Sequence, residues 1–413
     1  MIHVNRHILP NGLRIVHNED RSTQMVAINV VYNVGARDET ASRTGFAHLF
    51  EHLMFGGSVN IPDYDGPVQD AGGENNAWTT NDLTNYYLTL PKQNAEVGFW
   101  LESDRMLGLA FSQQSLDIQR GVVMEEFKQR HINQPYGDAS HLVRSMAYKV
   151  HPYRWPTIGL ELSHIAEATL EEVKEFYYRF YAPNNAVLAV TGNISFNDVV
   201  HLAEKWFAPI PTRQMQRPII PQEPEQTSIR RMEIERNVPV DALYMAFHTC
   251  QRLHPDYYAT DMLSDLLANG SSSRLIARLV KERQVFSQID AYITGSTDAG
   301  LLHITGKPVQ GVTLKEAEEA VWEELEAFRC TLPDIQELEK VKNRYEVEYT
   351  FKSTNFLNNA VNMAYFELIS QAEDVNEETT RYHAVTPDDI CRVATQLFRP
   401  DNCSILYYKS LVQ

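Results

Sequence analysis

His48-Leu49-Phe50-Glu51-His52 is the stretch of this 413-residue chain whose reading constrains everything else. If it is helical, His48 and His52 lie one turn apart on one face, because residues four apart are neighbours on a helix surface. Two imidazoles so placed can share one metal ion. Glu51, three residues after His48, stands near enough to that face to reach a metal-bound water. The surroundings favour a helix: Thr44, Phe46, Leu49, Leu53 and Phe55 are mixed with the small Ala47, no proline intervenes, and Gly56-Gly57 supplies a stop.

The pattern H-x-x-E-H inverts the H-E-x-x-H spacing that binds zinc. Catalytic zinc usually takes three protein ligands and keeps a fourth position for water, so a third ligand must come from another element. The best candidate run is Gln119-Arg120-Gly121-Val122-Val123-Met124-Glu125-Glu126-Phe127-Lys128. It reads as a helix with Val122, Val123 and Phe127 as its apolar stripe. Glu125 and Glu126 project about 100° apart on such a helix, so only one can face the metal, and spacing alone does not choose between them.

H-x-x-E-H followed by this Glu-Glu helix resembles the pitrilysin-type zinc peptidases, the family of insulin-degrading enzyme and the mitochondrial processing peptidase. The likeness extends through Leu9-Pro10-Asn11-Gly12-Leu13, Val34-Gly35-Ala36-Arg37-Asp38-Glu39, Phe46 to Gly57, Gly72 to Thr79 and Pro183-Asn184-Asn185. It implies that Glu126, not Glu125, is the third ligand, with one zinc per chain, and that two similar lobes face each other across a chamber. It also implies that Glu74 to Thr80 is the edge strand on which substrate pairs, with Asn76, Ala77 and Trp78 against the peptide. An extended peptide added to a sheet edge gains main-chain hydrogen bonds with little demand on its sequence. One position departs from the family. Gln119, two turns before Glu126, stands where a glutamate is usual, and its amide can orient a ligand but brings no charge. With His48, His52 and Glu126 as ligands, zinc would lower the pKa of its water towards ~7 and polarise a scissile carbonyl. Glu51 would take the proton and pass it to the leaving amine.

Composition narrows the alternatives. A net charge of −17 without a basic stripe argues against nucleic-acid partners. No apolar run approaches the ~20 residues needed to span a membrane. Met1 to Pro10 shows no charged-then-apolar leader, so a cytoplasmic location is expected, or a periplasmic one if a leader was removed. Cys250, Cys330, Cys391 and Cys403 are scattered without a C-x-x-C and read as thiols of a reducing compartment.

The chain reads as built twice. Thr169-Leu170-Glu171-Glu172-Val173 matches Thr386-Pro387-Asp388-Asp389-Ile390, and Tyr181-Ala182-Pro183-Asn184-Asn185 matches Phe398-Arg399-Pro400-Asp401-Asn402, both 217 residues apart. Each unit runs capping box, helix, turn, strand, the strands being 186–190 and 403–407. A Pro-rich stretch at 209–228 reads as an extended linker, which divides the chain into a zinc-bearing lobe at 1–208 and a metal-free lobe at 229–413. Strands are expected at 25–32 and 86–90, and long helices at 92–108, 113–130, 314–329 and 335–350. The class is α+β, helices packed on mostly antiparallel sheets. Matching Gly56 with Gly270 sets Met262, Asp265 and Leu266 opposite His48, Glu51 and His52.

The second half carries another departure. Ser271 to Leu275 and Lys281-Glu282 resemble a segment where active family members carry an arginine and a tyrosine seven residues apart, which hold substrate and stabilise the oxyanion. The matching positions here are Leu279 and Phe286. Loss of an oxyanion donor typically costs ~10²–10³ in rate. The expectation is therefore a zinc-dependent endopeptidase subunit completed by a homologous partner chain that supplies the pair. The alternatives are a self-sufficient homodimer and a metal-binding scaffold subunit with little turnover. In the first two cases the substrate is a peptide or an unfolded polypeptide.

Overall fold

Alternating and continuous apolar runs become strands where they were expected. A computed structural model describes residues 1–411, and in it the 25–32 run is β3 (Met25–Tyr32), buried from Val26 to Tyr32. With β1 (Asn5–Ile8), β2 (Arg14–Glu19), β4 (Glu74–Thr79), β5 (Thr84–Pro91) and β6 (Ala186–Gly192) it forms a six-stranded sheet ordered β1-β2-β6-β3-β5-β4. A second sheet contains β7 (Arg230–Arg236), β8 (Ala242–His248), β9 (Phe286–Ile293), β10 (Leu301–Pro308) and β11 (Cys403–Ser410), ordered β7-β11-β8-β10-β9. The two orders coincide strand for strand once β1 is set aside. In each sheet one pair is parallel, β2 with β6 and β7 with β11, and every other pair is antiparallel. The mixed α and β class follows, with the internal duplication visible in the topology.

The helices form close to the expected spans, as Ala95–Leu107, Gln113–Phe127, Leu314–Cys330 and Ile335–Ser353. Both capping boxes close: Thr169 Oγ1 accepts from Glu172 N, and Thr386 Oγ1 from Asp389 N. One detail differs. Val122 points outward and is 46% exposed, while Val123 is fully buried, so the inward stripe of Gln113–Phe127 is Leu116 and Val123. Among the described residues no helix is long and apolar enough to cross a membrane.

Each sheet belongs to one compact unit, and neither unit is a single run of chain. Unit 1 is Met1–Lys128, Trp155–Ile220 and Tyr349–Glu378; unit 2 is Gln129–Arg154, Pro221–Glu348 and the described chain from Thr379. The passage at Ile220–Pro221 lies inside the Pro-rich stretch, but two further segments change sides. The Phe356–Ile369 helix, from the second half of the sequence, packs Ala360, Met363, Ala364 and Phe366 on Ala27, Val31, Val187 and Ala189 of β3 and β6 in unit 1. The Ala139–Ala147 helix, from the first half, packs Val143, Met146 and Ala147 on Ala242, Ala246, Leu406 and Tyr408 in unit 2. Hydrophobic periodicity marks a helix and its buried face; it does not say which sheet that face will cover.

Candidate metal centre

The Phe46–Leu53 helix presents Leu49, Phe50 and Leu53 to the core of unit 1, where the Phe50 ring stacks on Phe176 and Tyr181 at 5.0 and 5.2 Å. Its entry is sharply defined. Gly45 precedes it with φ +87°, and a side chain there would meet the Ile158 carbonyl at 2.7 Å. Helix starts leave backbone N–H groups without partners inside the helix. Here the buried Glu39 carboxylate accepts from Gly45 N at 2.9 Å and Ala47 N at 2.8 Å. Burial pushes the Glu39 carboxyl well above its usual range, and these two N–H groups pull it back down. Glu39 belongs to a stretch matched by resemblance, but its role as a cap delivered from a preceding loop is visible only in three dimensions.

The remaining face carries His48 and His52, with ring centroids 4.9 Å apart. The Gln113–Phe127 helix brings Glu126 to both. Glu126 Oε2 lies 3.6 Å from His48 Nε2 and 3.4 Å from His52 Nε2. Glu125 turns away and pairs with Lys128 at 2.6 Å, which resolves the choice that spacing left open as to which carboxylate approaches the imidazoles. This helix is held in place by Arg120, which donates to the carbonyls of Ala166 and Ala168 at 3.0 Å each. Directly after Glu126 and Phe127 the chain widens into a π-turn over Lys128–Ile132, a geometry often found beside functional sites.

The distances discriminate between two readings of this trio. A charged N–H···O contact closes to about 2.7–2.9 Å. Ligand atoms around tetrahedral zinc, with bonds of about 2.0–2.1 Å, stand roughly 3.4 Å apart. Separations of 3.4 and 3.6 Å match the second value. Two imidazole nitrogens and one carboxylate oxygen also suit zinc. Among the described residues this is the one group of three such side chains whose ligand atoms converge, all within 4.8 Å of one another. The residues present fit a zinc ion.

Glu51, half-buried beside His52, accepts a 2.6 Å hydrogen bond at Oε2 from Thr79 Oγ1, the last residue of β4. The sequence reading did not single out Thr79. Behind the site the hydroxyls of Tyr86 and Tyr181 lie 3.3 Å apart in the core. Burial pushes both phenols up, and the Glu51 charge adds to the effect. The strand β4 is the last of its sheet and pairs only with β5, Asn76 opposite Tyr87, Ala77 opposite Tyr86 and Trp78 opposite Asn85. Asn76 is exposed, Ala77 packs against the core, and Trp78 lies 5.9 Å from the Tyr87 ring. Gln119 is half-buried, two turns from Glu126 on its helix.

Unit 2 repeats the framework without the ligands. The Tyr257–Ala268 helix stands between β8 and β9 in chain order, as Phe46–Leu53 stands between β3 and β4. Burial shifts the sequence match by one residue. Met262 and Leu266 are core residues, as Leu49 and Leu53 are, and Gly270 at φ +99° matches Gly57 at φ +96° rather than Gly56. The counterparts of His48 and His52 are then Asp261 and Asp265. Asp265 pairs with Arg344 of the Ile335–Ser353 helix at 3.2 Å, and Asp261 accepts from Tyr382 at 2.5 Å. Where unit 1 sets two imidazoles against a carboxylate, unit 2 sets one carboxylate against a guanidinium and the other against a phenol hydroxyl. Leu279 and Phe286 are likewise core residues, 0% and 1% exposed, with the Phe286 ring over Gly306. Side chains pointing inward hold no substrate whatever their chemistry. The neighbouring pairs seven apart, Arg278 with Val285 and Val280 with Ser287, also lack an arginine–tyrosine combination.

The family described as insulinase (peptidase family M16) matches residues 14–159, and peptidase M16 inactive domain matches 167–345. The chain belongs to the M16 peptidase family, in its short two-lobe form. It is 27% identical over 412 residues to the zinc protease PqqE of Helicobacter pylori, covering 97% of this chain and 91% of that one. It is 25% identical to the uncharacterized zinc protease YmxG of Bacillus subtilis, covering 96% of each. The crystal structure of a protease from Helicobacter pylori superposes with a TM-score of 0.94 at 25% identity, over 99% of this chain and 100% of that one. Pitrilysin superposes at 0.79 and 17% identity over 99% of this chain and 45% of its own, a likeness of fold. Peptidase chemistry with zinc is the class of activity that these relationships support.

Proposed function

We propose that the chain is the zinc-bearing subunit of a metalloendopeptidase that cleaves polypeptides bound in extended form. The observation that carries this reading is the convergence of His48, His52 and Glu126 at separations suited to tetrahedral zinc. When bound there, one zinc per chain would acidify a water and polarise the scissile carbonyl. Glu51 is the base that takes the water's proton and returns it to the amine. The open edge of β4, through Asn76, Ala77 and Trp78, pairs with the substrate backbone, so affinity comes from main-chain hydrogen bonds more than from sequence. The Gln119 amide would orient a ligand by hydrogen bonding without adding charge.

Leu279 and Phe286, at the positions where active relatives carry the arginine and tyrosine, are buried hydrocarbon and offer the transition state no oxyanion donor. A homologous partner chain supplying an arginine and a tyrosine completes the enzyme. The test has two parts. Metal analysis should give about one zinc per chain, lost in His52→Ala and kept in Glu51→Gln. Hydrolysis of an unfolded polypeptide should then need a co-encoded homologue and vanish with Glu51→Gln. Turnover by the pure chain would replace the heteromer with a homodimer; zinc without turnover in either preparation would leave a scaffold.

A further inference from the structure

Thr79 links the strand proposed to receive substrate to the group proposed to take the proton. Side chains alternate along β4, so Ala77 and Thr79 share a face, and Ala77 packs into the core of unit 1. On that same face the Thr79 hydroxyl donates to Glu51 Oε2 at 2.6 Å. The backbone of Thr79 is fixed by pairing with Thr84, and the next residue, Thr80, is tied through its carbonyl to Ala36 N at 3.2 Å. Glu51 itself lies on a helix whose start is capped by Glu39. The carboxylate is thus suspended between a capped helix and the final residue of an edge strand. A hydroxyl donor to one carboxylate oxygen restricts rotation about the terminal side-chain torsion, which is otherwise broad.

We infer that Thr79 is a positioning residue: it aims the Glu51 carboxylate and makes that aim depend on the geometry of the docking strand. A peptide paired along β4 would stiffen the strand and with it the base, favouring substrates extended past this end of the strand. The inference rests on the proposed roles of Glu51 and β4.

The variants Thr79→Val, which keeps the shape and removes the donor, and Thr79→Ser, which restores the donor, are compared with wild type, zinc-loaded and with any required partner present. Thr79→Val should keep one zinc per chain and a KM within about twofold, and lose about tenfold or more in kcat. Thr79→Ser should recover most of that rate. A Thr79→Val enzyme with unchanged kcat, or a loss that Thr79→Ser fails to repair, would overturn the assignment. Crystal structures of the zinc-loaded variants give a reading that needs no turnover. The Glu51 carboxylate should hold its place in wild type and Thr79→Ser and swing in Thr79→Val; an unmoved carboxylate refutes the role. Loss of zinc from wild type would instead refute the site itself.

Discussion

Asp265 shows how one position can diverge between two copies of the same framework. Its carboxyl is pushed up to about 6, chiefly by burial, with Arg344 opposing and Asp261 and Glu348 adding to the rise. Because the folded-state pKa lies above the unfolded value of about 3.9, the native state holds the proton more tightly. This contribution therefore favours the fold near pH 4 and is lost as pH rises to about 6. A shift of roughly two pKa units corresponds to about 2–3 kcal/mol. Asp265→Asn should flatten the stability profile between pH 4 and 6 and raise the denaturation midpoint at pH 7, measured by urea unfolding across that range. A midpoint lowered at pH 7 would mean that the Arg344 pair outweighs desolvation. His48, His52 and Glu126 are the opposite case, since two imidazoles and a carboxylate offer donors that a divalent cation can draw together.

At the scale of elements, the site depends on helices whose placement local sequence does not specify. The Phe356–Ile369 helix buries Met363 completely against the sheet that carries β4. Met363→Ala should cost about 2–4 kcal/mol, read by chemical denaturation, and zinc bound under native conditions should stay near one per chain. A negligible cost would show that the helix is dispensable to unit 1. The elements themselves were largely legible. The apolar run at Met25–Tyr32, the capping boxes at Thr169 and Thr386 and the helical span of Gln113–Phe127 each state a local preference that the fold keeps, although the strand is buried on both faces and Val122 turns outward. Registers between the duplicated halves were less legible. The Gly56–Gly270 match slips by one residue, because a short gapless alignment sees residue types, whereas burial of Met262 and Leu266 reports which face the core demands.

For the whole molecule, the exchange of the Ala139–Ala147 and Phe356–Ile369 helices means that neither half of the sequence contains its complete unit. Residues 1–220 alone leave the face of β3 and β6 without its helix, and residues 221–413 leave β8 and β11 without theirs. Each piece expressed singly should be aggregation-prone, with apolar faces of the kind that drives association. Co-expressed, the two should form a soluble complex that binds about one zinc. Independent solubility and a cooperative unfolding transition for either piece would contradict this. The same exchange explains why a boundary drawn at the Pro-rich stretch captures one passage between the units and not the two helices that trade places.

The sequence by itself determined the candidate ligand pattern and the local structure: H-x-x-E-H on a helix, an acidic residue on a second helix, two similar halves, and strands and helices near their observed ends. Those are properties of spacing, periodicity and capping, which act over a few residues. Only the tertiary structure decided that Glu126 faces the imidazoles while Glu125 faces Lys128, that Glu39 caps the Phe46–Leu53 helix, that Thr79 meets Glu51, and that Asp261 and Asp265 stand at the counterparts of His48 and His52. The meetings of Glu126 with the imidazoles, of Thr79 with Glu51 and of Asp265 with Arg344 join groups 28 to 79 residues apart, pressed together by burial of apolar surface and by the cost of leaving polar atoms unpaired there.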